Sequence, residues 1–308
     1  MFSVIFPGQG SQIVGMGKDF FDKYDLVKHL FEEADDILKF SLSRMILDGP
    51  KEELNLTSNT QPAIFLISFS IYKLITEEFK IDLTKAKYFA GHSLGEYSAL
   101  CSAGYLNFSD TLKLLRIRGD AMQNSVPKGE GGMVAVLGLT IVEMEKILRE
   151  NIINSSVQIA NDNSDGQIVI SGKNYDLNEL IKFFKLNNIK NIRLPVSAPF
   201  HCKLMSKATE IMRKEIEKLT FYDAKNVLIS NVTASEILNK NELRKLLIDQ
   251  IESRVKWRES VINMISSGVN HFIEIGPGKV LSGLVKRIDK NVKINTINNE
   301  SDIKELVL

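Results

Sequence analysis

The pattern of apolar and polar positions along the chain predicts an α/β protein. Residues 2–6 form a short apolar run that ends at Pro7-Gly8, which is typical of a buried strand. Apolar positions at helical spacing over 18–38 predict an amphipathic helix. Gln61-Pro62 starts a run that is apolar on nearly every side, which indicates a buried helix. Residues 87–90 are again typical of a strand, and they lead into a glycine-flanked turn and a further helix.

The middle of the chain has a different pattern. Residues 128–132 are glycine-rich and predict a flexible linker. Strand and helix patterns then follow in the order β-α-β-β-α-β up to Pro195, which is the order of a ferredoxin-like unit. Beyond it the α/β pattern resumes. We therefore predict a discontinuous large α/β domain, formed by residues 1–127 and 198–308, into which a ferredoxin-like small domain at 128–197 is inserted.

Composition and charge narrow the classes of function. Among 308 residues 44% are hydrophobic, as in ordinary globular proteins, and a net charge of +1 argues against general nucleic-acid binding. Cys101 and Cys202 fit neither a disulfide framework nor a metal-ligand pair, so we expect plain thiols in a reducing compartment. No apolar run approaches the about 20 residues of a membrane span, and the N-terminus lacks the pattern of a signal peptide. We expect a cytoplasmic protein with no metal, nucleic-acid or membrane partner.

The segment Gly91-His92-Ser93-Leu94-Gly95 fits the pattern G-x-S-x-G. Such a serine occupies a sharp strand-to-helix turn, where small neighbours are needed and the hydroxyl is exposed beside backbone N–H groups. The predicted strand before it and helix after it supply that context. The motif predicts an acyl-enzyme nucleophile in an α/β-hydrolase-like large domain, and the alternative is a chance pentapeptide in a glycine-containing turn.

A serine nucleophile needs a base, and the chain has only four histidines. His29 lies in a helical pattern and is expected at the surface. His92 shares the tight turn with Ser93, so its side chain should point elsewhere and pack, and His271 opens a strand. By elimination His201, in a proline-containing loop after the small domain, is the candidate base, with a structural loop histidine as the alternative.

Five motifs together resemble the malonyl-CoA:acyl carrier protein transacylases of fatty-acid synthesis, from residue 2 to about 300. They are Phe6-Pro7-Gly8-Gln9-Gly10-Ser11-Gln12, Gly91-His92-Ser93-Leu94-Gly95-Glu96-Tyr97, Arg116-Ile117-Arg118-Gly119, Pro199-Phe200-His201 and Ile275-Gly276-Pro277-Gly278. The resemblance implies ping-pong transfer of a malonyl group from coenzyme A through Ser93 to the phosphopantetheine thiol of acyl carrier protein, with His201 as proton carrier. It also implies that malonyl-CoA is a substrate and that no cofactor is needed. We expect a monomer.

The resemblance also assigns the remaining site residues. The backbone N–H groups of Gln9 and Leu94 correspond to the oxyanion hole. Arg118 corresponds to the cation whose planar guanidinium binds the malonyl carboxylate. Arg116, two positions earlier, should face elsewhere. The family lacks the acidic residue that completes a catalytic triad, and the backbone carbonyl at Gln250 would orient the histidine instead. The chain departs from the family at Arg254, where proline is usual, and at 163–166.

Two other functions remain open at this point. A hydrolase such as a thioesterase predicts the order Ser, then Asp or Glu, then a late His, and often an HGGG loop. This chain has no HGGG, and its late His271 opens a strand. A non-catalytic docking module predicts loss of Ser93, His201 or Arg118, and all three are present.

The turn at Gly276-Pro277-Gly278-Lys279 matches no phosphate loop, so we interpret it as lining the cleft.

Overall fold

Two β-sheets organise the computed structural model, which describes residues 1–151, 155–196 and 198–308. The strands are β1 Phe2–Phe6, β2 Tyr88–Gly91, β3 Gly131–Leu137, β4 Gln158–Ser164, β5 Gln167–Lys173, β6 Lys190–Arg193, β7 Val227–Leu228, β8 His271–Ile275 and β9 Lys293–Ile297. The α-helices are α1 Lys18–Lys23, α2 Asp25–Leu38, α3 Leu42–Asp48, α4 Lys51–Leu54, α5 Thr57–Lys73, α6 Leu94–Ser102, α7 Phe108–Gln123, α8 Ile141–Asn151, α9 Asn174–Leu186, α10 Ser206–Lys218, α11 Lys240–Asp249, α12 Trp257–Ser266, α13 Val280–Ile288 and α14 Glu300–Lys304. A π-helix spans Leu74–Glu78, and 3₁₀ turns span Leu83–Lys85 and Lys203–Met205.

The larger sheet is parallel and buried on both faces. Its five strands lie in the order β7-β2-β1-β8-β9, and every pair is parallel. Because side chains alternate along a strand, Val4 and Phe6 pack into the main apolar cluster while Ile5 packs into a second cluster on the opposite face. Parallel sheets covered by helices on both faces have this character. The carboxyl ends of β1 and β2 therefore open into loops at one edge, where the predicted nucleophile lies.

The smaller sheet is antiparallel, with its strands in the order β4-β5-β3-β6. One face carries Val134, Val136 and Ile170, which pack with residues of α8 and α9 in a separate apolar cluster. The other face contributes Met133 and Val169 to the main cluster, so the small sheet lies directly against the rest of the protein. Its elements follow the chain order β3-α8-β4-β5-α9-β6. Position 197, the last residue of the predicted small domain, lies outside the described residues.

The structure corrects three boundaries that the pattern predicted. The helix over 18–38 is two helices, because Tyr24 between them has an extended backbone, with φ −121° and ψ 118°. The predicted linker 128–132 ends earlier than expected, since Gly131 already pairs with β5. Helix α5 begins at Thr57 rather than at Gln61-Pro62, so Pro62 lies inside it.

Helix α5 accommodates Pro62 in its interior because the carbonyl that proline leaves without a helical partner is satisfied from another helix. Proline lacks the N–H that would bond to the carbonyl four residues back, so the oxygen of Ser58 loses its helical partner. Arg116 of α7 donates from Nη1 to that oxygen at 3.0 Å, which satisfies it. Within the described residues, no helix combines the length and apolar character needed to cross a membrane.

Candidate active site

The turn between β2 and α6 holds Ser93 in a strained backbone conformation. Its φ of 54° and ψ of −113° lie where residues other than glycine are rarely found. The flanking glycines are required by close packing, since a Cβ on Gly91 would lie 2.0 Å from the carbonyl of Gly95. A Cβ on Gly95 would lie 2.2 Å from the backbone oxygen of Phe6. The G-x-S-x-G spacing is therefore a consequence of how tightly this turn crosses β1.

Asn231 fixes this turn from the neighbouring loop. Its Nδ2 donates to the oxygen of Gly91 at 2.7 Å, and its Oδ1 accepts from the backbone N–H of Ser93 at 2.7 Å. The two hydrogen bonds span the strained residue, which over-determines its conformation. Sequence reasoning missed Asn231, because nothing local connects it with a serine 138 positions earlier.

His201 is the histidine that the fold brings to Ser93. Its Nε2 lies 2.8 Å from Ser93 Oγ, and its Nδ1 lies 2.9 Å from the backbone oxygen of Gln250. A carbonyl oxygen can only accept, so Nδ1 carries the proton and Nε2 faces the serine with a free lone pair. Burial, with the nearby Arg118 cation, lowers the pKa of His201 to about 3. The imidazole is therefore neutral at neutral pH, as a general base must be.

The lowered pKa of His201 predicts a pH-dependent contribution to stability. Between pH 3 and 6.5 the unfolded chain binds a proton at this histidine and the folded protein does not, so acid favours unfolding and stability rises with pH. Between pH 7 and pH 5 one such group lowers the free energy of unfolding by about 2 kcal/mol. Asparagine tolerates the left-handed backbone that His201 adopts at φ 58°. The free energy of unfolding of His201→Asn, measured with denaturant, should therefore fall by about 2 kcal/mol less than that of wild type over the same pH interval. Equal losses in both proteins would contradict the prediction.

Arg118 is buried in the core of the site, with 1% of its surface exposed. Its Nη1 donates to Gln61 Oε1 at 2.7 Å, and its Nη2 donates to Gln250 Oε1 at 2.8 Å and to Ser93 Oγ at 3.2 Å. The guanidinium also lies 5.2 Å from the ring centre of Tyr97. Burial lowers the pKa of Arg118. Within the described ranges no carboxylate lies within salt-bridge distance of it, so the cation is held by neutral acceptors beside the nucleophile.

Arg116 faces away from the site, as its spacing from Arg118 predicts. It donates to the backbone of Ser58 and to the side chain of Asn59, and its Nε lies 3.5 Å from Asp120. Its guanidinium lies 4.9 Å from the ring centre of Phe40. The two arginines of one motif therefore occupy different environments.

The predicted oxyanion residues border the same cleft as Ser93. In the described part of the chain, the backbone N–H groups of Gln9 and Leu94 have no acceptor. Leu94 is the first residue of α6, so its N–H lies at the positive end of the helix. The loop that carries Gln9 is pressed against the serine turn, since a Cβ on Gly8 would lie 2.6 Å from the oxygen of His92. Free donors beside a nucleophile can stabilise a developing negative charge.

Of the other histidines, His92 also lines the cleft, and its ring is hydrogen-bonded to a residue other than Ser93. His92 Nε2 is 2.8 Å from Asn163 Oδ1, and its ring centre is 5.9 Å from that of Trp257. His271 Nε2 is 2.8 Å from Asn295 Oδ1 at the start of β8, and His29 is exposed on α2.

The cleft around Ser93 spans about 630 Å³, part of which is open solvent. Its walls include residues from the strands of the small sheet, namely Met133, Asn161 and Val169. The predicted Gly276-Pro277-Gly278 turn is not part of this lining, so the interpretation that it lines the cleft is wrong. Gly276 packs against Pro7 and Ser68, and the turn borders a separate pocket beside Ile13 and Asn298. Among the described residues, no cluster of three or more His, Cys, Asp or Glu side chains has the arrangement of a metal site.

Arg254, where the sequence departs from the family pattern, leaves the contact between His201 and Gln250 intact. Its Nη1 lies 3.0 Å from Glu145 of α8, and its Nη2 lies 3.3 Å from Glu259. The following residue, Val255, donates to the oxygen of Ala160 at 2.8 Å and accepts from the N–H of Asp162 at 3.0 Å. The segment after Gln250 is therefore joined to the small sheet by backbone hydrogen bonds as well as by charge.

Comparisons with known proteins agree over almost the whole chain. The family model described as an acyl transferase domain matches residues 3–303. The malonyl CoA-acyl carrier protein transacylase of Bacillus subtilis (strain 168) is 42% identical over 305 residues, covering 97% of this chain and 94% of that protein. The protein of the same name from Escherichia coli (strain K12) is 38% identical over 301 residues, covering 97% and 96%.

Solved structures give the same result. The acyl-carrier-protein-S-malonyltransferase of Bartonella henselae has a TM-score of 0.95 at 40% identity, covering 98% of this chain and 97% of that one. A malonyl-transacylase solved in complex with its type II PKS holo acyl-carrier protein has a TM-score of 0.94 at 34% identity, with 98% and 97% covered. The similarity thus extends to the architecture as well as to the motifs.

Proposed function

Because this chain belongs to the acyl transferase domain family and to its malonyl CoA-acyl carrier protein transacylases, we propose that it transfers a malonyl group from coenzyme A to acyl carrier protein in fatty-acid synthesis. The observation that carries the proposal is the convergence on one oxygen atom. Ser93 Oγ lies 2.8 Å from His201 Nε2 and 3.2 Å from Arg118 Nη2. A base and a buried cation for a carboxylate thus each lie within hydrogen-bond distance of the nucleophile.

In the first half-reaction Ser93 Oγ attacks the thioester carbonyl of malonyl-CoA while His201 Nε2 takes the hydroxyl proton. The tetrahedral oxyanion accepts hydrogen bonds from the N–H groups of Gln9 and Leu94, and one such donor contributes about 2.7–4 kcal/mol in enzymes where it was removed. The carbon–sulfur bond then breaks and the leaving thiolate takes the proton from His201. The product is a malonyl ester on Ser93.

The second half-reaction reverses these roles with a new thiol. The phosphopantetheine thiol of the carrier protein gives its proton to His201 and attacks the ester carbonyl, and the oxygen of Ser93 leaves and recovers that proton. Gln250 keeps Nδ1 of His201 protonated through its backbone carbonyl, which adds no negative charge next to the malonyl carboxylate. The ping-pong scheme needs no cofactor, since coenzyme A enters as part of a substrate.

Arg118 selects the malonyl group by its charge. A planar guanidinium can donate hydrogen bonds to both oxygens of a carboxylate. These hydrogen bonds are charge-assisted because both groups are ionised, and Arg118 is buried. An acetyl group leaves the same cation facing a methyl group, which disfavours that substrate.

The domain organisation remains our prediction: an α/β-hydrolase-like large domain from 1–127 and 198–308, with a ferredoxin-like insertion at 128–197. The parallel sheet, the strained serine turn and the separate apolar cluster under α8 and α9 support it. We also retain the expectation of a cytoplasmic monomer whose partners are malonyl-CoA and the carrier protein.

The proposed function predicts that transfer outpaces hydrolysis. The purified protein is mixed with malonyl-CoA and a pantetheine acceptor, and malonyl-pantetheine and free malonate are followed by mass spectrometry. Transfer should exceed release because the acceptor thiol competes for the ester in a cleft whose surface is mainly apolar. Release of malonate faster than transfer would instead identify a thioesterase.

A further inference from the structure

The side chain of Gln250 links three parts of the site. Its Nε2 donates to the backbone oxygen of Ser93 at 3.0 Å and to Glu96 Oε2 at 2.5 Å, while its Oε1 accepts from Arg118 Nη2 at 2.8 Å. The residue has no exposed surface. Both ends of one amide are therefore used, and the direction in which the amide points decides whether Arg118 meets an acceptor or a donor.

Glu96 determines that direction. It lies in the first turn of α6, is 1% exposed, and its carboxylate accepts from Gln250 Nε2. If the amide turned over, two oxygens would face each other at Glu96 and two N–H donors would face each other at Arg118. Since each mismatch leaves a buried polar group unpaired, the carboxylate at Glu96 stabilises one orientation only.

Burying Glu96 is costly, which argues that it has more than a packing role. Burial raises its pKa to about 7, and its Oε1 has no partner among the described residues. Its remaining contact is a 3.4 Å hydrogen bond from the N–H of Asn231. An apolar side chain at this position would avoid the desolvation and lose the control over Gln250.

We propose that Glu96 is a positioning residue for acyl selection, which orients Arg118 through the side-chain amide of Gln250. The inference rests on the proposed function, because it assumes that Arg118 binds the malonyl carboxylate. Among the described residues, Glu96 forms no hydrogen bond or salt bridge with Arg118 or with the serine hydroxyl. It acts by keeping the Gln250 oxygen toward Nη2, so that the guanidinium remains directed at the acyl group on Ser93.

The test compares malonyl and acetyl transfer in variants of Glu96. Glu96→Met removes the acceptor at similar size and should lower the ratio of malonyl to acetyl kcat/KM at least about tenfold, mainly through KM for malonyl-CoA. Glu96→Gln keeps an acceptor oxygen and should stay within about threefold of wild type. If Glu96→Met does not fold, Glu96→Asp gives the same comparison, because its shorter side chain withdraws the carboxylate from Gln250.

Glu274 provides the matched control. It is also a buried carboxylate with a raised pKa, and it accepts from the N–H groups of Leu281 and Ser282, away from the cleft. Glu274→Met should reduce both transfers equally through stability alone.

A second comparison places the Glu96 change in the Arg118→Ala background. There it should leave the malonyl to acetyl ratio unchanged, because its effect passes through the missing cation. Equal losses of malonyl and acetyl transfer in the Glu96 variants, or an undiminished effect without Arg118, would overturn the inference. Failure of the wild-type protein to transfer malonyl at all would instead overturn the proposed function.

Discussion

Ser93→Ala is expected to abolish malonyl transfer and the covalent adduct together. The oxygen of Ser93 is the one group at which His201, Arg118 and the turn converge, so its removal leaves the thioester with no attacking atom. Loss of the nucleophile in a serine protease lowers kcat on the order of 10⁶, and we expect a loss of similar size here. Intact-mass spectrometry after mixing with malonyl-CoA should show one added malonyl group in wild type and none in the variant.

Ser98→Ala is the matched control for this experiment. Ser98 lies in α6, the helix that follows Ser93, is buried, and its hydroxyl has no partner within the described residues. The same change in chemistry should leave the adduct in place. An adduct that survives Ser93→Ala would move the nucleophile elsewhere, and the absence of an adduct in wild type would favour a non-catalytic docking module.

Arg118→Ala is expected to invert the preference between acyl groups. Removing one partner of a buried, hydrogen-bonded charge pair costs about 2–5 kcal/mol, which is roughly 30-fold to several thousand-fold in kcat/KM for malonyl-CoA. Acetyl transfer should fall much less or rise, because the methyl group no longer faces a buried cation. Steady-state kinetics with the two thioesters, measured on the same preparation, give both values.

Arg116→Ala separates this specific effect from a general one. Arg116 lies two positions away in the same helix and also makes several hydrogen bonds, but none of them reaches Ser93. Its removal should reduce both transfers in parallel through stability. Parallel losses in Arg118→Ala as well would mean that Arg118 does not bind the carboxylate.

Sequence reasoning points to Ser93 as the candidate nucleophile because the constraint on its turn is local. The turn at Ser93 needs Gly91 and Gly95 within five consecutive residues, so the constraint is visible in the sequence itself. The candidate base was found only because four histidines leave few choices. The Gly276-Pro277-Gly278 turn was misplaced, since its packing against Pro7 and Ser68 depends on contacts far away in the sequence.

The residues that hold Arg118 could not be predicted for the same reason. Gln61 and Gln250 lie 57 and 132 positions from it, and a glutamine carries no sequence signal that distinguishes a buried acceptor from a surface one. Gln61 was interpreted only as a helix start, and Glu96 only as part of a motif. The effect of Arg254 was equally invisible, because its partner Glu145 lies on α8, more than one hundred positions earlier.

The two backbone hydrogen bonds between Val255 and β4 bear on how substrates reach the serine. They extend the small sheet into the segment that begins at Gln250, whose carbonyl sets the tautomer of His201. Swinging the small sheet away to widen the cleft would break these bonds and disturb the base in the same movement. Entry by such a swing would therefore displace the carbonyl that orients His201, so the fold favours entry through the passage that the cleft already provides. Coenzyme A and the carrier protein both present their thiol at the tip of a slender phosphopantetheine arm, which is the shape of reactant that such a passage admits.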